Sequence, residues 1–147
     1  MFTKSILLVE DNPDDEALAL RAFGSSNFPH PLRVVHDGKE AIDYLLCTGG
    51  FSNRNPNEMP ALIMLDLKLP KVAGLKVLQV VRTHERTKMV PVVILTSSKE
   101  EKDVLNAYSL GANSYIRKPI RFEDFVDTIK EIGKYWLRLN ELPQNLG

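Results

Sequence analysis

The sequence predicts an α/β fold built on a parallel, doubly wound sheet, and three observations carry that reading. Five short apolar runs recur along the chain and alternate with five stretches whose apolar residues fall at helical spacing. The run Ala61-Leu62-Ile63-Met64-Leu65 has no polar alternation, as suits a strand buried on both faces of a parallel sheet. Three of the runs end in a chemically apt residue, Glu10-Asp11, Asp66 and Thr96, and the C-terminal edge of such a sheet is where ligands bind.

The elements follow in order. Ser5 to Val9 is the first strand. Asp11 or Asn12 can cap the next helix, Pro13 suits its first turn, and Asp14, Asp15 and Glu16 favour its N-terminus through the helix dipole. Leu18, Leu20 and Phe23 continue that helix, and Gly24-Ser25-Ser26-Asn27 ends it. Leu32 to Val35 is the second strand. Lys39 to Thr48 is a helix that buries Ala41, Ile42, Leu45 and Leu46. Gly49 to Pro60, rich in Gly, Asn and Pro, is read as an exposed loop, long for its place in an α/β unit.

The third strand must be over by Pro70, which cannot continue a hydrogen-bonded ladder, so Asp66 lies at its C-terminal end. Gly74 to about His84 is the third helix, and Val90 to Leu95 the fourth strand, ending at Thr96. Ser98 and Glu101 match a capping box for a helix that runs to Leu110 and stops at Gly111. Ser114 to Arg117 is a fifth, weaker strand. The last helix runs from about Phe122 to Leu139, and the tail 140–147 is irregular. Right-handed crossovers and the chain length favour the flavodoxin-like (βα)5 arrangement, strand order 2-1-3-4-5. One domain is expected over residues 1–147, its core at about 5–139.

The chain has 147 residues, 19 basic and 19 acidic. Zero formal net charge gives no general electrostatic reason to expect nucleic acid or an anionic membrane as partner. Cys47 has no mate within the chain, which fits a reducing compartment. The first residues lack signal-peptide features, and the apolar run Ile6 to Val9 is too short to span a membrane. A cytoplasmic location is the expectation.

The strand endings Glu10-Asp11, Asp66 and Thr96, with Lys118 just after the fifth strand, converge on one edge of the expected sheet. Carboxylates folded together repel unless a cation joins them. Oxygen-only ligands suit Mg²⁺, with Mn²⁺ as the alternative. Asp66 is then a carboxylate nucleophile for a phosphoryl group, giving an aspartyl phosphate. The metal and Lys118 neutralise the transferring oxygens, and the Thr96 hydroxyl donates to one of them.

The motifs LLVEDN, MLDLKLP, VVILTSS and YIRKPI resemble those of the response-regulator receiver domain of two-component signalling, from the first strand to the fifth. The resemblance implies Asp66 as phosphoacceptor, and Glu10, Asp11 and Asp66 at the metal with the backbone carbonyl of Lys68. It implies Thr96 and Lys118 as the hydroxyl and the lysine, and Tyr115 with Thr96 as the switch pair. It also implies a Lys118-Pro119 peptide of the kind commonly cis in the family. Ala73 departs from the family pattern, where an aspartate often precedes the glycine. Lys68 and Ser98, two residues beyond Asp66 and Thr96, are placed to border the attacking water and so to set the phosphoryl lifetime. The long loop and the YWLRLNELP ending resemble the small regulators that partner cyanobacterial phytochrome histidine kinases. A sensor histidine kinase of phytochrome type is the implied partner.

Rival readings fit less well. An aspartate-nucleophile phosphohydrolase resembles its kind in a second aspartate two residues after the nucleophile, and Lys68 stands there. A nucleotide-binding domain needs a glycine-rich turn after the first strand, where this chain has Glu-Asp-Asn-Pro. The expected role is a phosphoacceptor signalling module rather than an enzyme. Phe125, Ile129, Ile132 and Trp136 should face the sheet, leaving Phe122, Val126, Tyr135, Leu137, Leu139 and Leu142 partly or wholly off that face. That surplus predicts a homodimer through the last helix.

Overall fold

The computed structural model describes residues 4–119 and 121–143. Five parallel strands, β1 (Ile6–Val9), β2 (Leu32–Val35), β3 (Leu62–Leu65), β4 (Val92–Thr96) and β5 (Ser114–Arg117), form one sheet in the order β2-β1-β3-β4-β5. This is the expected doubly wound order. Between and after them run α1 (Pro13–Gly24), α2 (Gly38–Leu46), α3 (Gly74–Thr83), α4 (Glu101–Ser109) and α5 (Phe122–Lys134).

Burial explains the strand patterns. The inner strands β1, β3 and β4 are buried at every residue, so they read as unbroken apolar runs. The edge strands β2 and β5 are only partly covered and carry Arg33, Tyr115 and Arg117 among their apolar residues. Alternate residues supply two cores. Leu7, Val9, Ile63, Leu65, Val92 and Ile94 pack toward α2, α3 and α4. Ile6, Leu8, Leu62, Met64, Val93 and Leu95 pack toward α1 and α5.

Register sets the site. Val9 pairs with Leu65, so Glu10 and Asp66 leave the sheet side by side. The ladder continues one step beyond the strands through Asp66 N–H to the Val9 carbonyl (3.2 Å) and Lys118 N–H to the Thr96 carbonyl (2.8 Å). The loop after Asp66 is clamped by two close approaches. A Cβ on Gly74 would lie 2.2 Å from the Asp66 carbonyl oxygen, and one on Gly38 would lie 1.8 Å from that of Val72. Only glycine permits these contacts, so α2 and α3 hold the Asp66 loop from two sides.

Several expectations change. No capping box forms at α4: Glu100 is the cap residue, without a side-chain cap bond. Ser98 is buried and its hydroxyl donates instead to Asp103 at 2.5 Å. The Lys118-Pro119 bond is trans, the geometry X-Pro favours by about 0.5–1 kcal/mol. Helix α2 stops at Leu46 because Cys47 takes a left-handed conformation (φ 58°). The α-helix expected to reach Leu139 ends at Lys134 and passes into a π-type turn, Tyr135–Leu139.

The 49–60 segment is largely exposed, as expected, but it is anchored to the core at both ends. It opens with a 3₁₀ turn, Gly49–Phe51, and buries Met59 and Pro60. The Arg54 guanidinium lies 3.8 Å from the Tyr44 ring centroid and donates to the Tyr44 and Glu58 carbonyls. Residues 140–143 lack regular structure, as expected, and 144–147 lie outside the described residues. No helix among the described residues is long and apolar enough to cross a membrane.

Candidate functional site

The C-terminal edge of the sheet gathers the residues singled out from the sequence. Glu10 and Asp66 are buried and Asp11 is exposed beside them. One carboxylate oxygen of each lies within 4.8 Å of those of the other two. Lys118 enters from the end of β5, its side chain only 9% exposed. Its Nζ donates to Asp66 Oδ2 at 2.8 Å and is 2.7 Å from Glu10 Oε1. The second oxygen of Asp66 accepts the Lys68 N–H at 3.2 Å, and Glu10 Oε2 accepts the Asn12 N–H at 3.1 Å.

The electrostatics follow from burial and these bonds. Burial pushes the Glu10 carboxyl up to about 7, against the opposing pull of its bond to Lys118. Burial also works against the Lys118 ammonium, but its bonds to Asp66, Glu10 and Asp15 outweigh that and hold its pKa above the ordinary lysine value. A lysine therefore does part of what a cation would do among these acids. The donor set fits a hard divalent cation: every ligand atom is oxygen, and the three carboxylates converge.

Asp15 is the residue the sequence reading missed. The sequence places it at a helix N-terminus for its charge alone, yet its Oδ2 lies 2.9 Å from Lys118 Nζ. The Asn12 cap brings it there. Asn12 Oδ1 accepts the N–H groups of Asp14 (2.9 Å) and Asp15 (3.2 Å), which fixes the first turn of α1. Only the spacing from the acidic pair hinted at it, and spacing does not name a partner on β5.

Thr96 is fully buried at the end of β4. Its Oγ1 accepts the Ser98 N–H at 3.4 Å. Tyr115 is half-buried on β5 and donates its hydroxyl to the Ser98 carbonyl at 3.2 Å. Burial raises the Tyr115 phenol above its ordinary pKa, against that hydrogen bond. Lys68 is exposed, whereas the Ser98 hydroxyl is engaged by Asp103 and by the Glu100 N–H at 3.3 Å.

A clustered acid set at the C-terminal edge of a 2-1-3-4-5 sheet, with a buried lysine over the central aspartate, defines a receiver module of two-component signalling. The model of the response regulator receiver domain matches residues 6–130, and the chain belongs to that family. Among curated relatives, the probable methanogenesis regulatory protein FilR2 of Methanothrix harundinacea is 44% identical over 94% of this chain and 86% of its own length. Response regulator Rcp1 of Synechocystis is 36% identical over 95% of this chain and 93% of its own. The phosphorylated cyanobacterial phytochrome response regulator RcpA superimposes with a TM-score of 0.91 at 38% identity, covering 97% of this chain and 100% of its own. The Mn(2+)-bound form of Rcp1 superimposes with a TM-score of 0.90 over 96% of this chain and 99% of its own.

Proposed function

We propose that this chain accepts a phosphoryl group on Asp66 from a sensor histidine kinase and signals through protein contacts. The observation that carries the reading is the Lys118 ammonium 2.8 Å from the Asp66 carboxylate, beside a converging Glu10-Asp11-Asp66 cluster. In the transfer, an Asp66 oxygen forms the new O–P bond as the N–P bond of the phosphohistidine breaks, and the imidazole nitrogen keeps the electron pair. Lys118 offsets charge on the phosphoryl oxygens, and the Thr96 hydroxyl, whose oxygen accepts the Ser98 N–H, donates its proton to one of them. Glu10, Asp11, Asp66 and the Lys68 carbonyl would hold Mg²⁺ or Mn²⁺, which supplies further charge neutralisation when bound. Thr96 and Tyr115 are the switch pair, and Lys68 and Ser98 the candidates for setting the lifetime.

The partner we favour is a phytochrome-type kinase, supported by the likeness to RcpA and Rcp1 along nearly the whole chain. FilR2, at higher identity than Rcp1, is named as a probable methanogenesis regulator, so kinase choice is a separate question from the chemistry. We place the receiver over residues 1–147, with its core at 5–139, in the cytoplasm. A homodimer through the last helix is supported by exposed Phe122 (51%), Tyr135 (50%) and Leu139 (69%).

Intact-mass measurement after incubation with Mg²⁺ and a small acyl or amido phosphate tests the central claim. Wild type should gain one phosphoryl group and Asp66→Asn none. Equal uptake by the two proteins would move the acceptor elsewhere.

A further inference from the structure

The Lys118 ammonium carries three N–H bonds, and three carboxylates surround it. They are Glu10 Oε1 at 2.7 Å, Asp66 Oδ2 at 2.8 Å and Asp15 Oδ2 at 2.9 Å. Two of these, Glu10 and Asp66, belong to the cluster that fits a divalent cation, and Asp15 does not. A cation or a phosphoryl group at the cluster would draw on the oxygens of Glu10 and Asp66. Asp15 would then be the one acceptor whose partner is unchanged.

We propose that Asp15 is a positioning residue that holds the Lys118 ammonium beside Asp66 while Glu10 and Asp66 turn to a cation or a phosphoryl group. The proposal rests on the function assigned above to Asp66. Lysine presents a compact charge on a flexible four-carbon stem, so its direction has to be fixed from outside. Asp15 does this from a rigid base, the first turn of α1 with Asn12 as its cap. The pair is largely sheltered, with side-chain exposures of 9% and 21%, so solvent screens it less than a surface ion pair. Asp14 is the natural control. It lies in the same turn, carries the same charge and is exposed, and it makes no ion pair among the described residues.

The test compares Asp15→Asn, Asp15→Glu and Asp14→Asn with wild type by two readouts. One is the side-chain ¹⁵N resonance of Lys118 with and without Mg²⁺. The other is phosphorylation kinetics with a small phosphodonor. In Asp15→Asn the Lys118 signal should shift and broaden, most with Mg²⁺. The maximal rate should fall about tenfold at an unchanged half-saturating donor concentration, the loss of one charge-assisted bond. Asp15→Glu should recover part of both, and Asp14→Asn should match wild type. An Asp15→Asn protein with the wild-type Lys118 signal in Mg²⁺ overturns the proposal. If wild type takes up no phosphate but Asp15→Asn still frees Lys118, the function above fails and the positioning stands. If wild type is phosphorylated and Asp15→Asn keeps pace with it, the positioning fails and the function stands.

Discussion

Tyr115 and Thr96 are joined through the backbone of a single residue, Ser98: the tyrosine hydroxyl donates to its carbonyl and its N–H donates to Thr96 Oγ1. A hydroxyl at the site and an aromatic ring on the edge strand therefore share one loop. A turn of the Thr96 side chain toward a phosphoryl oxygen would change its contact with the Ser98 N–H, and so reach the loop that Tyr115 holds. This gives the proposed switch pair a physical link, through which the proposed modification at Asp66 would bias the loop.

Tyr115→Phe removes one hydrogen bond outside the site. It should cost about 0.5–1.5 kcal/mol of stability and leave phosphorylation at Asp66 intact. Urea unfolding and intact mass check the two halves. Lost phosphorylation in a folded Tyr115→Phe protein would place the tyrosine in the chemistry itself.

Gly74→Ala forces a Cβ against the Asp66 carbonyl at 2.2 Å and the Leu67 Cα at 2.6 Å. Both are backbone atoms, so no side chain can rotate away. Destabilisation of roughly 1–3 kcal/mol is expected, together with slower phosphorylation as the Asp66 loop shifts. A melting curve like that of wild type would show that this loop is free to move.

Mg²⁺ should stabilise the fold, because the converging acids exist only in the native chain. At a hundredfold excess over its dissociation constant the gain is about 2.7 kcal/mol. Thermal melts at fixed ionic strength, with Mg²⁺ and then with excess chelator, measure it. The same melts on Asp11→Asn should show a smaller gain. Equal gains would place the metal away from the Glu10-Asp11-Asp66 cluster.

Lys68→Asn keeps the backbone N–H that holds Asp66 Oδ1 and changes only an exposed side chain. Phosphorylation should persist while the rate of spontaneous dephosphorylation changes. An unchanged hydrolysis rate would show that this side chain points away from the phosphoryl group. Ser98→Ala should act differently, by freeing Asp103 and loosening the start of α4.

Leu137 and Leu139 should separate folding from pairing. Leu137 packs against the α1 and α5 core, whereas Leu139 is 69% exposed. Leu139→Glu should give a folded monomer that still accepts phosphate, and Leu137→Glu should lower the melting temperature. Sedimentation over a concentration series decides the first point. A wild type that stays monomeric with and without phosphate ends the dimer proposal and leaves Asp66 untouched.

The elements were legible because parallel strands buried on both faces must be continuously apolar, and because helices must repeat at their own period. Leu32–Val35 and Ser114–Arg117 were read without error at both ends, although each is a partly exposed edge strand. The errors fell where side chains compete for local partners. The capping-box spacing points Ser98 to a helix cap, but its burial beside Asp103 gives it a different bond. The Gly, Asn and Pro content of 49–60 predicts an exposed loop, and most of the segment is exposed. Composition does not reveal that Arg54 folds back over the Tyr44 ring. Val126 and Leu137, expected partly or wholly off the sheet-facing side of the last helix, are partly buried and pack against the margin of the core.

The sequence by itself determined the strands, the helices between them and the residues that stand at the strand ends, because period and punctuation are local properties of the chain, and crossover handedness with chain length then favoured the strand order. Only the tertiary structure decided which acid meets which base. Asp14 and Asp15 are identical neighbours in one helical turn, and nothing local distinguishes them. A helix rotates by about 100° per residue, and the Asn12 cap sets its phase. That rotation leaves Asp14 in solvent and carries Asp15 to a lysine 103 positions further along the chain.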